Sequence, residues 1–302
     1  MDLSGRVAIV TGAGRGLGRA YAEALAGAGA AVVVNDADAD SAHEVAERVR
    51  ATGGAAVAEP GAVGPAAVAD RLVDTAVAKY GRLDVLVTNA GILRDRMLWK
   101  MTDEEFDAVL DVHLRGTFTC VRAAVRHMRE RNEGGRIIAV GSPAGQRGNI
   151  GQTNYAGAKA AIVGMVRTWS MECARAGITV NAVIPVAATA MTATMPAFEP
   201  YVTAWREHGT PLPRWLRAGE GFGVPDDAGG LVVFLASAAA DGITGQAIGI
   251  GGDRLSLWSH PQEVAFAYCQ GGWSADAIHD AWSSLAAQTQ SVGIPSPREP
   301  SP

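Results

Sequence analysis

Short apolar runs alternate with amphipathic stretches along most of this chain of 302 residues. RVAIVTG (6–12), AAVVVND (30–36), AAVAE (55–59), LDVLVTNAG (83–91), GRIIAVGS (135–142), GITVNAVIP (177–185) and QAIGIGG (246–252) read as strands, rich in β-branched residues and closed by turn formers. Helical periodicity fills the gaps: 16–28, a stretch ending near 50, 65–79, a long run over 103–131, the segment carrying Tyr155, and 226–238. Strands without polar alternation need cover on both faces, which a parallel sheet between two helical layers provides. The pattern predicts an α/β fold: a Rossmann-type, doubly wound, seven-stranded parallel sheet in a single domain over residues 1–255. Ligands bind such sheets beyond the carboxyl ends of the strands, so the residues just past each strand are the ones to inspect.

Two stretches break the rhythm. Residues 186–225 hold several Pro, Gly, Trp and Met, and a segment of that length in a compact domain reads as a substrate lid or binding loop. Beyond Asp253 the strand–helix beat stops. Residues 256–302 read as a C-terminal extension whose last residues, IPSPREPSP, are expected to be disordered.

Composition narrows the function classes. With 48% hydrophobic and 19% charged residues the chain is a compact protein, not a disordered one. A net charge of −5 argues against a nucleic-acid partner, and the basic cluster over 121–136 reads as a solvated helix face. Cys120, Cys173 and Cys269 have neither metal-ligand spacing nor a disulfide framework; the first two read as buried thiols, and no metal site is expected. No signal pattern opens the chain and no apolar run is long enough for a membrane span, so the expected location is cytoplasmic, away from membranes.

The chemistry lies at the strand ends. TGAGRGLG (11–18) follows the first strand and opens a helix; Gly12, Gly16 and Gly18, with Arg15 and Leu17 between them, let backbone approach a pyrophosphate at a helix N-terminus. Asp36 ends the second strand, where a carboxylate accepts hydrogen bonds from ribose hydroxyls and repels a 2′-phosphate. NAD(H) is therefore expected over NADP(H), with Arg15 as the contrary signal and helix capping as the other reading of Asp36. Asn89, Ala90 and Gly91 form a small turn after the fourth strand. Ser142 follows the fifth, and Tyr155 and Lys159 stand four apart on one helix face. Gathered at one sheet edge, these three surround a single carbon–oxygen group. Free tyrosine titrates near ~10, and a neighbouring ammonium is expected to lower that value.

TGAGRGLG, TNAG, Ser142, YAGAK and NAVIP together resemble the short-chain dehydrogenase/reductase family over about residues 4–255. Within it, NAGILRDRMLWKMTDEEFD, VHLRGTF and GNIGQTNYAGAKA are most similar to the (3R)-hydroxyacyl-CoA dehydrogenase part of peroxisomal-type multifunctional enzymes and its bacterial relatives. The resemblance implies catalytic roles for Ser142, Tyr155 and Lys159, and cofactor contacts for the glycine loop, Asn89, Ala90, Gly91, Tyr155, Lys159, Pro185, Thr189 and Thr192. It also implies a homodimer or homotetramer, built through the two long helices holding His113 and Tyr155. His113 stands where the family usually has Asn holding a water chain from the lysine; it shares a helix face with Phe106 and Leu110, so an active-site role and a core histidine are both open. The stretch EPGAVGPAAV lacks the family's usual adenine-side Asp.

In the lid, Met191, Met195, Phe198, Tyr201, Trp205 and Trp215 suit an acyl chain, a polyketide or a steroid-like ring, and Arg206, Arg214 and Arg217 are candidates for CoA phosphates. The expected activity is NAD-dependent interconversion of a secondary alcohol and ketone, with a 3-hydroxyacyl/3-oxoacyl thioester as substrate. A hydroxysteroid or other bulky secondary alcohol is the alternative. The intact serine, tyrosine and lysine argue against a silent NAD-binding regulator.

Overall fold

The computed structural model describes residues 1–295. Eight strands form one sheet: β1 (Val7–Val10), β2 (Ala31–Val34), β3 (Ala55–Ala58), β4 (Val85–Thr88), β5 (Gly135–Val140), β6 (Ile178–Pro185), β7 (Ala247–Gly251) and β8 (Arg254–Trp258), in the order β3-β2-β1-β4-β5-β6-β7-β8. The first seven are parallel, as the pattern predicts. The eighth pairs antiparallel with β7, and the sequence reading missed it. RLSLW is short and joined to β7 by a tight turn. Its alternation is also inverted for an ordinary core strand, since Leu255 and Leu257 are exposed.

The helices are α1 (Gly16–Gly27), α2 (Ala39–Ala51), α3 (Ala66–Tyr80), α4 (Asp103–Leu110), α5 (Gly116–Arg131), α6 (Pro143–Arg147), α7 (Thr153–Cys173), α8 (Glu199–His208), α9 (Gly229–Ala236) and α10 (Ala275–Ala286). Successive strand residues point to opposite faces, so Ala8 and Val10 pack beneath α1, α2 and α9, through Tyr21, Val45 and Leu231. Val7 and Ile9 pack beneath α3, α5 and α7, through Leu72, Met128 and Ile162. Cys120 on α5 and Cys173 on α7 are buried thiols. The long helical run over 103–131 is divided by a π-helical turn, Asp111–Arg115, which carries His113. Residues 186–225 fold around a small core of their own, where Phe198 and Phe222 stack with ring centroids 4.3 Å apart. Those of the residues expected to be disordered that follow Pro295 lie outside the described residues.

The basic cluster is not wholly a solvated face. Arg136 is 7% exposed and pairs with Asp241, while Arg131 donates to Leu83 O and to the Asp84 carboxylate. Asp84 also accepts from Val7 N at 2.9 Å and from Arg82, joining β1 to the start of β4 at the edge opposite the candidate site. Burial alone would raise its carboxyl, but these donors outweigh it and hold the group below the usual range. Removing one member of such a buried set strands the rest. Asp84→Ala is expected to lower stability by about 3–5 kcal/mol, read as a lower urea midpoint at constant m.

Candidate active site

The strand order reverses between β1 and β4, and the crevice opens there. Two side chains close its floor. The Thr11 hydroxyl accepts from Asn89 N and Ala90 N, while Asn89 Nδ2 donates to Thr11 O and to Gly12 O at 2.9 Å. The end of β1 is thereby tied to the end of β4. Glycine at position 18 permits this closeness: a Cβ there would lie 2.0 Å from Gly12 O and 2.5 Å from Asn89 Nδ2. Arg15 sits at the N-cap of α1 without a side-chain cap, leaving the first N–H groups of the helix for a ligand. This cradle fits a dinucleotide pyrophosphate.

Asp36 reaches across to the loop, its Oδ2 accepting from Gly14 N at 2.9 Å. It does not cap α2; Asp38 does, accepting from Asp40 N and Ser41 N. Asn35, which the sequence reading passed over, donates to Glu59 O and Gly61 O at 2.9 Å each. Where the family usually has an Asp, Gly61, Ala62 and Val63 line the cavity instead. An Asn directly before the ribose-side Asp was the available signal.

The opposite wall is built by β5, α6 and α7. Ser142 caps α6, accepting from Ala144 N, with its own O–H left to donate. Tyr155 stands near the start of α7, anchored by the fully buried Asn154, which accepts from Tyr155 N and donates to Arg94 O and Glu105 O. Lys159, one turn on, is 3% exposed; its Nζ donates to Val140 O at 2.6 Å and lies 5.7 Å from the Tyr155 ring centroid. Burial lowers Lys159 to about 7. Burial also pushes the Tyr155 phenol up, and the Ser142 hydrogen bond opposes it only in part. The expectation that Lys159 holds the phenol low is therefore not met in the free protein. The ammonium is turned onto a backbone carbonyl and is itself desolvated.

His113 is 1% exposed and joins this group. Its ring meets Tyr155 edge-on, with centroids 5.1 Å apart. Nε2 lies 2.8 Å from Ile92 O and 3.0 Å from Ile92 N, so either tautomer is bonded there and Nδ1 is left buried without a partner among the described residues. Burial, helped by the nearby Lys159 charge, lowers its pKa to about 3, so the ring is neutral. The predicted shared face with Phe106 fails: Phe106 is 38% exposed, because the π turn rotates His113 away from the helical register. Gly91 makes the room, since a Cβ there would lie 2.3 Å from the imidazole Cε1.

Gly12, Arg15, Gly16, Leu17, Asp36, Asn89, Ala90, Gly91, His113, Ser142, Tyr155, Lys159, Pro185, Thr189 and Thr192 all line one cavity of about 1060 Å³. Gly18 lies behind it as a packing residue. Thr189 and Thr192 bond each other: Thr189 N donates to Thr192 Oγ1 at 2.7 Å, and Thr192 N to Thr189 Oγ1. Met191, Met195, Phe198 and Trp205 line the cavity, whereas Tyr201 and Trp215 pack edge-to-face within the lid. Of the three candidate arginines only Arg206 lines it. Arg217 is held by Asp227 and Asp253, and Arg214 is exposed away from it. Among the described residues no His, Cys, Asp or Glu group is placed to hold a metal, and no helix is long and apolar enough to cross a membrane.

A sequence model of the short chain dehydrogenase family matches residues 6–200. The chain belongs to that family. It is an oxidoreductase acting on CH–OH/C=O groups. It is 42% identical over 256 residues to a 3-oxoacyl-[acyl-carrier-protein] reductase of Synechocystis sp., covering 84% of this chain and 98% of that protein. It is 43% identical over 272 residues to the hydroxyacyl-CoA dehydrogenase ChsB1 of Mycobacterium tuberculosis, covering 86% and 81%. A crystal structure of a short chain dehydrogenase from Mycobacterium avium superposes with TM-score 0.82 at 34% identity, covering 98% of this chain and 99% of that one.

Two outcomes follow from this geometry. Gly18→Ala forces the β1–β4 contact apart, and a displacement of that size is expected to cut cofactor-dependent turnover by about 10²-fold or more, with weaker nicotinamide nucleotide binding by fluorescence titration. Lys159 is the pH probe. Its folded value, about 7, lies below its ordinary 10.5, so the unfolded chain holds the extra proton between these values. The cost to stability is full below about 7 and fades as pH rises to 10.5. Lys159→Met is expected to melt higher than wild type at acid pH, the gain shrinking steadily in alkaline melts.

Proposed function

We propose that the chain is an NAD(H)-dependent dehydrogenase/ketoreductase for a 3-hydroxyacyl/3-oxoacyl thioester. The observation that carries this is the Tyr155 phenol, backed by Lys159 and bonded toward Ser142, on the wall that faces both the glycine loop and the apolar lid. The two curated relatives, named for 3-oxoacyl and hydroxyacyl thioester substrates, support it. The Asp36 carboxylate, held beside the glycine loop at Gly14 N, supports NAD(H) over NADP(H), because it would repel a 2′-phosphate there.

When bound, the nicotinamide supplies or accepts the hydride at the substrate carbon. Ser142 donates to the substrate oxygen and holds it beside Tyr155. Tyr155, kept protonated by burial, gives its proton to that oxygen in reduction. In the oxidative direction the phenol must first become phenolate, and the Ser142 hydrogen bond is what favours that form against burial. His113, neutral and buried, has an Nδ1 that could bond a water and so support proton return toward Lys159. Thr189 and Thr192 close the nicotinamide side.

Self-association as a homodimer or homotetramer fits the exposed Phe118 on α5 and Met171 on α7, at 41% and 73%. A cytoplasmic location fits the free cysteines.

The deciding assay follows NADH, with NADPH in parallel, across 3-oxoacyl-CoA and 3-hydroxyacyl-CoA esters, secondary alcohols and hydroxysteroids. Turnover of the CoA esters with NAD(H) is expected, lowered about 10²–10⁴-fold in Tyr155→Phe while nucleotide binding survives. Turnover of steroids or free ketones alone would retain the chemistry and reject the thioester.

A further inference from the structure

The segment after α10 returns to the active-site cavity. Gly293 N donates to Arg147 O at 2.6 Å, and Arg147 Nε donates back to Gly293 O at 2.9 Å. This is a two-point clasp between the end of α6, the helix that Ser142 caps, and a part of the chain nearly 150 positions later. Beside the clasp Val292 is 88% exposed, whereas the half-buried Ile294 and the still exposed Pro295 line the rim of the cavity together with Arg147. The preceding helix, α10, has no buried residue.

A mere surface crossing would leave Ile294 as exposed as Val292. Instead Ile294 is half-buried and lines the cavity that Met191, Met195 and Trp205 also line. We propose that Arg147 is a positioning residue that holds Ile294 and Pro295 as a wall of the substrate cavity, and that this wall sets how large an apolar substituent the enzyme accepts. The inference rests on the reading that the cavity takes a 3-oxoacyl thioester. It adds the element that limits the acyl group. The length of the chain beyond β8 thereby acquires a task in specificity.

The test compares wild type with Arg147→Ala, Ile294→Ala and Ile294→Trp, all in the full chain. The readout is kcat/KM for a long-chain over a short-chain 3-oxoacyl-CoA ester, with hydrogen exchange of residues 291–295 measured alongside. Releasing or trimming the wall is expected to raise the long-to-short ratio about tenfold, a change of about 1.4 kcal/mol in relative barrier. The change should come chiefly through KM of the long ester. Ile294→Trp is expected to lower the same ratio, and the opposed signs separate a wall from general damage to the fold. Exchange over 291–295 should quicken in Arg147→Ala. A ratio unmoved in both Ile294 variants overturns the wall; unchanged exchange in Arg147→Ala overturns the clasp. Should wild type reduce no thioester at all, the substrate reading falls. The wall is then judged on the affinity of 8-anilinonaphthalene-1-sulfonate for the cavity, which Ile294→Trp must weaken for the proposal to stand.

Discussion

The stitch between Thr11 and Asn89 is the contact on which the carboxyl edge of the sheet depends. β1 and β4 are neighbours in space but 78 residues apart at their starts, Val85 pairing beside Ala8, and their chains leave the sheet in opposite directions. A crevice at such a reversal has no backbone ladder to close it, so polar side chains must do so. One hydroxyl accepting two amides and one carboxamide donating to two carbonyls satisfy groups that would otherwise be buried without partners. Once the floor is fixed, the glycine loop has a defined height, Asp36 can reach Gly14, and β5 brings Ser142 to the same edge.

The second constraint is dryness. Lys159, His113 and Tyr155 are polar groups crowded into an apolar setting, and water is the solvent each would prefer. Burial drives all three toward their neutral forms. A site poised in this way keeps the proton on the phenol in the free protein. In the proposed reaction, transfer to a substrate oxygen would meet little competing hydration.

The parts of this arrangement that obey local rules were legible in the sequence. Seven strands, the glycine turn and the Tyr155–Lys159 spacing follow from periodicity and from helix geometry, both of which act over a few residues. What escaped depends on distant partners. β8 is set by its pairing with β7, not by its own pattern. The role of Asn154 depends on carbonyls of Arg94 and Glu105, and that of Asn35 on Glu59 and Gly61. Tyr201 and Trp215 carry the same apolar character as Trp205, yet they turn inward to the lid core while Trp205 faces the cavity. The helical face assigned to His113 was wrong because a single π turn shifts the register, and no propensity marks where such a turn falls.

That turn has a consequence for how the chain can change. The imidazole occupies the volume where a side chain at position 91 would be, so the two positions share one space. Neither is free to vary alone: a bulkier residue at 91 requires a smaller one at 113, and a smaller residue at 113 opens a void beside Tyr155 unless 91 grows to fill it. Substitution at these sites is therefore paired, and the two must drift together or stay as they are.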